Sequence, residues 1–129
     1  MLKIKNLFLL LFIVTTVTVS CQSNNNVEDD FNMTAAQLKE AIKTDSNLVI
    51  LDVRTPQELV GEHGQIEGVI NIPVQVLSQR INEMEPYKDK DIAVICRSGN
   101  RSVIATKMMK AKGYNVKNVL GGMKAYNKL

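Results

Sequence analysis

The seven residues Cys96-Arg97-Ser98-Gly99-Asn100-Arg101-Ser102 constrain this chain more tightly than any other segment. The four residues before them, Ile92-Ala93-Val94-Ile95, are all apolar and read as a short buried strand. A helical pattern follows from Ser102 to Lys112, with Gly113 at a helix-stop position. A lone cysteine therefore sits on a tight strand-to-helix loop, with two arginines within five residues of it. The start of a helix aims unpaired backbone N–H groups and the positive end of its dipole at such a loop. Both favour a thiolate over a thiol, and the thiolate is the nucleophile. The same cradle would hold an anion. A free cysteine closing a buried strand is more often a small core hydrophobe, but an apolar core would not accept Arg, Ser, Gly, Asn and Arg as its next residues.

The remaining pattern is an alternation of short strands and helices. Thr34 with Gln37 three residues on forms a capping-box pattern, opening a helix with Leu38, Ala41 and Ile42 on one face. Leu48-Val49-Ile50-Leu51 reads as a strand buried on both faces, ending in Asp52-Val53-Arg54. Thr55-Pro56-Gln57-Glu58 starts a short helical turn with proline near its first position. A glycine-bearing loop from Gly61 to Gly68 leads to a strand over Val69-Ile70-Asn71-Ile72-Pro73, and Val76, Leu77 and Ile81 mark a helix before a turn at Pro86-Tyr87. Asn118-Val119-Leu120 is the last strand, and Gly121-Gly122-Met123 opens a terminal helix. This order predicts an α/β domain, a mostly parallel sheet with helices on both faces. Sites in such sheets lie at the carboxyl ends of strands, where Cys96 and Asp52-Val53-Arg54 both fall. Met108, Met109 and Met123 read as core filling rather than metal ligands.

The front of the chain has a different grammar. Lys3 and Lys5 precede an uncharged apolar stretch from Leu7 to Val19, then Ser20-Cys21 and the polar run Gln22-Ser23-Asn24-Asn25-Asn26. The stretch is short for a membrane span and fits a secretory signal. With Cys21 after a small residue it resembles a bacterial lipoprotein signal, although Thr18 stands where that family prefers an aliphatic residue. The expected organisation is a signal peptide over 1–20, a lipidation site and flexible linker over 21–31, and one domain over 32–129. The resemblance implies export to the cell envelope and a membrane anchor through lipid on Cys21; an ordinary signal peptide with a cysteine near its cut is the alternative. Loss of residues 1–20 lowers the formal charge from +3 to +1. That balance, with no basic patch, argues against a nucleic-acid partner. Cys21 and Cys96 are the only cysteines, so spacing supplies neither a disulfide framework nor a metal site. With Cys21 lipidated, Cys96 has no partner within the chain, and an unpaired thiol in an exported protein is a liability unless it reacts.

Four segments in order carry a further resemblance. They are Leu51-Asp52-Val53-Arg54-Thr55-Pro56 with Glu58; Gly64, Ile66, Gly68, Asn71, Ile72 and Pro73; the loop from Cys96 to Ser102; and Gly113-Tyr114 with Gly121-Gly122-Met123. Over about residues 33–128 the chain resembles a single-domain rhodanese, a sulfurtransferase family. The resemblance implies a three-layer domain around a five-stranded, mostly parallel sheet. Two positions depart from the family pattern. Gln65 stands where the second motif usually has His, with His63 two places earlier and read as an exposed loop residue, and Tyr126 replaces the usual Trp of the last helix.

The resemblance also implies chemistry. Cys96 would take a sulfane sulfur from a small sulfur-containing anion such as thiosulfate and pass it, as a persulfide, to a thiophilic acceptor: cyanide in an assay, a thiol or protein in the cell. No cofactor or metal is implied, and a monomer is expected. The N–H groups after Cys96, across Arg97, Ser98, Gly99, Asn100, Arg101 and Ser102, would surround the persulfide charge, with Gly99 permitting the curvature. Arg97 and Arg101 are the candidate contacts for the donor's anionic end, unless they are solvated or bridge Asp52 or Glu58. Asp52 reads as an organiser of the loop, and Arg54 as a supporting residue of open role. A phosphatase or arsenate reductase shares this fold and a Cys…Arg loop, but Cys96 to Arg101 encloses four residues, one fewer than in the phosphatase-like relatives. A binding or sensing module without turnover is the other alternative.

Overall fold

The computed structural model describes residues 30–129; the expected signal segment and Cys21 lie outside the described residues. Five strands, β1 (Asn32–Met33), β2 (Val49–Asp52), β3 (Ile70–Asn71), β4 (Ile92–Ile95) and β5 (Val116–Val119), form one sheet in the order β1-β5-β4-β2-β3. Every pairing is parallel, with Val49 opposite Ile92 and Asp52 opposite Ile95 in the central pair. The connections run through α1 (Ala35–Thr44), α2 (Pro56–Leu59), α3 (Val74–Arg80), a 3-10 helix over Ile81–Tyr87, and α4 (Asn100–Ala111), with α5 (Gly122–Tyr126) closing the chain.

Local chemistry accounts for these elements. The Thr34 hydroxyl accepts from the Gln37 N–H at 3.1 Å while the Gln37 side chain accepts from the Thr34 N–H at 2.7 Å, so α1 starts on a reciprocal cap. β2 and β4 are buried at every residue, as continuous apolar strands covered on both faces are. Successive strand side chains point to opposite faces, and the core divides accordingly. Val49, Leu51, Ile92 and Val94 pack with Leu77, Met84 and Met109 under α3, the 3-10 helix and α4. Ile50, Ala93 and Ile95 pack with Leu38 and Met123 under α1 and α5. The result is the three-layer α/β arrangement that the sequence pattern implies.

Several boundaries differ from expectation for physical reasons. Gly99 has φ +105° and completes the turn, so α4 begins at Asn100 rather than Ser102. The last strand starts at Val116, which pairs with Ile92, and Leu120 leaves the sheet toward solvent ahead of Gly121 at φ +72°. The expected turn at Pro86-Tyr87 is the end of the 3-10 helix. Ile42 is exposed, so Ala35 and Leu38 carry the buried face of α1. Two-residue β1, too short to show a periodicity, pairs Asn32 with Asn118.

Candidate active site

Parallel pairing brings the carboxyl ends of β2, β4 and β5 to one edge of the sheet, and Cys96 leaves β4 at its centre. The residue is 1% exposed. The Gly99 N–H donates to its Sγ at 3.0 Å, and the Ser102 hydroxyl lies 3.3 Å from the same sulfur. Burial, the largest single influence, pushes the Cys96 thiol up; the Ser102 hydroxyl and the N–H groups of Ser102, Gly99 and Ser98 together outweigh it, leaving the thiol below its ordinary value. The loop thus favours the thiolate form by hydrogen bonding, with no imidazole or carboxylate base in contact with the sulfur among the described residues.

The loop is clamped from behind by the closing motif. Met123 N–H donates to the Cys96 carbonyl at 2.8 Å and Lys124 N–H to the Arg97 carbonyl at 3.0 Å. Gly122 makes this approach: its φ is +56°, and a Cβ there would overlap the Cys96 carbonyl oxygen and lie 2.7 Å from the Arg97 carbonyl carbon.

The two expected anion contacts separate. Arg101 forks onto Glu58, Nη1 to Oε2 at 2.7 Å and Nη2 to Oε1 at 2.6 Å. Its charge faces Cys96 and Asp52 through space, so it supports the loop electrostatically while its donors serve α2. Glu58 also accepts from the N–H and hydroxyl of Thr55. Arg101 first, with Thr55, holds the Glu58 carboxyl at about 2. A carboxylate depressed in the fold contributes stability that is fully present above its ordinary value of 4.5 and lost as pH falls toward about 2. Denaturant midpoints across that window are expected to fall with pH for the native chain and to fall less for Glu58→Gln, with the difference shrinking in high salt.

Arg97 is exposed, and the one hydrogen bond of its side chain among the described residues is a long 3.5 Å contact to His63 Nε2. His63 corrects its sequence reading: its side chain is 17% exposed and lies against Arg97. Gln65, at the family's histidine position, is exposed. Arg97 and His63 line a cleft of about 310 Å³ with Arg54, Gln57, Glu58, Gly61 and Glu62. A larger hollow of about 390 Å³ lies at the opposite, amino-terminal end of the strands, around Asp45, Asp91 and Asn115. It is not lined by cysteine, so chemistry rather than volume places the site beside the Cys96 loop.

Asp52 and Arg54 form the scaffold. Both are almost fully buried, and Arg54 Nε and Nη2 meet the two Asp52 oxygens at 2.7–3.1 Å. The same guanidinium reaches the carbonyls of Glu58 and Gly64 at 3.2 and 2.8 Å. Asn71 Nδ2 holds the backbone carbonyls of Asp52 and Arg54 at 2.9 and 2.8 Å. Ser98 and Asn100 are exposed on the loop's rim. Sequence reasoning did not single out Asn118, whose Oδ1 accepts from Ser102 at 2.6 Å. The signal is a polar residue between apolar strand positions, Val116 and Val119, and such a group, once buried, needs a partner. No group of three or more His, Cys, Asp or Glu among the described residues converges as metal ligands do.

Comparison with known proteins accords with this geometry. Residues 34–129 match the model of the rhodanese-like domain family. Two Bacillus subtilis proteins are similar: YrkF, named as a candidate sulfur carrier, 35% identical over 103 residues, and YtwF, named as a candidate sulfurtransferase, 34% identical over 94. The match covers 79% of this chain and 54% of YrkF, so the chain spans about half that relative's length, and 73% of this chain and 87% of YtwF. The crystal structure of a rhodanese-related protein from Thermoplasma volcanium superposes with a TM-score of 0.68 at 38% identity, covering 76% of this chain and 91% of that one. With a cysteine cradled by backbone N–H groups at the end of β4, and a family match running from the cap of α1 to the last residue, this chain belongs to the rhodanese-like family, which includes sulfurtransferases.

Proposed function

We propose that this protein is a thiosulfate-type sulfurtransferase that carries a sulfane sulfur on Cys96. The observation that carries the reading is the Cys96 sulfur itself: buried, lowered in pKa, and held by N–H and O–H donors that suit a negative sulfur. In the first step the Cys96 thiolate attacks the outer sulfur of thiosulfate. A Cys96 S–S bond forms, the donor's S–S bond breaks, and sulfite leaves with the electron pair. In the second step an acceptor such as cyanide or a thiolate attacks the outer sulfur. The persulfide bond breaks and the Cys96 thiolate returns. Charge is conserved through both steps, so this covalent route needs no proton transfer at sulfur.

Arg97 is the cation left to receive the donor's sulfonate end, because Arg101 and Arg54 are committed to Glu58 and Asp52. Arg97→Ala is expected to raise KM for thiosulfate by about tenfold or more, the scale of one charge-assisted contact, with a smaller change in kcat. Thiocyanate formation from thiosulfate and cyanide measures both. An unchanged KM would remove Arg97 from the donor site, and no thiocyanate with any sulfane donor would overturn the reading. Phosphatase chemistry fits less well: the sixth residue after Cys96 is Ser102, with its hydroxyl on the sulfur, and the arginine before it faces Glu58. Export on a lipid-anchored Cys21, with the domain as a monomer at the membrane surface, is part of the same proposal; loss of lipid labelling in Cys21→Ser tests it.

A further inference from the structure

The Ser102 hydroxyl has one proton and three neighbours that can take it. The Gly99 carbonyl lies at 3.0 Å, Asn118 Oδ1 at 2.6 Å and the Cys96 sulfur at 3.3 Å. Asn118 continues the chain outward, its Nδ2 donating to Asn32 Oδ1 at 2.8 Å. Cys96, Ser102 and Asn118 are all at most 1% exposed. While the cysteine is a thiol, this arrangement is satisfied: S–H donates to Ser102 Oγ, Ser102 donates to Asn118, and Asn118 donates to Asn32. A thiolate is acceptor-only and needs the Ser102 proton for itself. That would leave the Ser102 and Asn118 oxygens facing each other with no hydrogen between them, a costly contact in a buried site. A half-turn of the Asn118 amide relieves it. The nitrogen and oxygen ends are nearly equal in size, so the turned amide occupies the same space. Its Nδ2 then donates to Ser102, and a matching turn of half-buried Asn32 restores the outer bond.

We propose that Asn118, backed by Asn32, is a positioning residue whose amide reverses with the charge on Cys96, so that the Ser102 hydroxyl is released to the thiolate. This rests on Cys96 being the nucleophile, but it concerns the thiol's ionisation and not the identity of any sulfur donor. An acceptor-only side chain at 118 would pin the Ser102 proton away from the sulfur. The titratable and charged groups around the thiol are Arg101 on α4 with Glu58 on α2, Asp52 with Arg54 at the end of β2, and Arg97 with His63 at the mouth, and all are retained in the variants below.

The test is the pH dependence of Cys96 alkylation by iodoacetamide in the full chain, read on the Cys96 peptide. Asn118→Asp is expected to slow alkylation at neutral pH by about tenfold or more, one unit of thiol pKa. A new carboxylate could also act by charge alone, so the same change is made in Ser102→Ala. There it is expected to alter the rate by less than about threefold. Equal slowing in both backgrounds would overturn the proposal, as would no slowing in either. A second measurement needs no substitution at 118. The side-chain amide resonances of Asn118 in the native chain are expected to titrate at the Cys96 midpoint and to lose that titration in Ser102→Ala; resonances flat with pH, or titrating unchanged in Ser102→Ala, would overturn it. Failure of sulfur transfer with the alkylation results intact would count against the proposed function and leave this inference standing.

Discussion

Replacing Cys96 with serine is expected to lower thiocyanate formation by a factor on the order of 10³ or more, to the background of the uncatalysed reaction. The size follows from what the site lacks as much as from what it has. A serine hydroxyl remains protonated at neutral pH and needs a base to become a nucleophile, and the hydrogen-bond partners of the Cys96 sulfur are the Gly99 N–H and the Ser102 hydroxyl. Neither removes a proton. Cysteine escapes the requirement because those same donors stabilise its ionised form. The variant is expected to keep its fold, since serine is smaller than cysteine and the clamp from Met123 and Lys124 binds backbone carbonyls rather than the side chain. A normal denaturant midpoint with lost turnover is the expected pair of results. Retained turnover would move the chemistry off Cys96.

Arg54→Ala is the substitution expected to cost the most stability, about 3–5 kcal/mol, because it strands a buried carboxylate. Asp52 is fully buried and meets the Arg54 guanidinium with both oxygens. The carbonyls of Glu58 and Gly64 lose their donor as well. A typical domain has only about 5–15 kcal/mol in hand, so the variant is expected to be partly unfolded at ordinary temperature. Arg54→Lys keeps the charge but not the planar fork that serves four acceptors, and is expected to fall between the two. Denaturant unfolding at constant slope measures both. An Arg54→Ala midpoint near the native one would show that the Asp52–Arg54 pair is not the scaffold described above. The damage is expected to reach the site through Glu58, whose backbone Arg54 holds and whose carboxylate orients Arg101.

The sequence and the structure agree most closely where one local rule acts alone. Ile92-Ala93-Val94-Ile95 is a strand at the predicted residues because an unbroken apolar run is buried on both faces. The Thr34–Gln37 cap is reciprocal as its spacing implies. Cys96 stands on the strand-to-helix loop for the same reason: the elements on either side were each legible. What sequence could not decide was the choice among long-range partners. Arg97 and Arg101 look alike as letters, and only the packing of α2 beside α4 gives Arg101 to Glu58 and leaves Arg97 at the mouth. His63 is a loop residue, as its sequence context implies, but its half-burial against Arg97 is set by the fold. The role of Asn118 is hidden in the sequence because its partners are distant along the chain, Ser102 on a helix and Asn32 on a two-residue strand. The doubled glycine at 121 and 122 was legible as a motif, but its reason, a backbone approach closed to any side chain at Gly122, belongs to the folded loop.

The central claim is that Cys96 carries the transferred sulfur as a persulfide, and the intact mass of the protein tests it most directly. After thiosulfate, the native chain is expected to gain one sulfur atom, to lose it on addition of cyanide, and to show no gain as Cys96→Ser. A native chain whose mass is unchanged by thiosulfate and other sulfane donors, or a Cys96→Ser chain that gains the same sulfur, would contradict it.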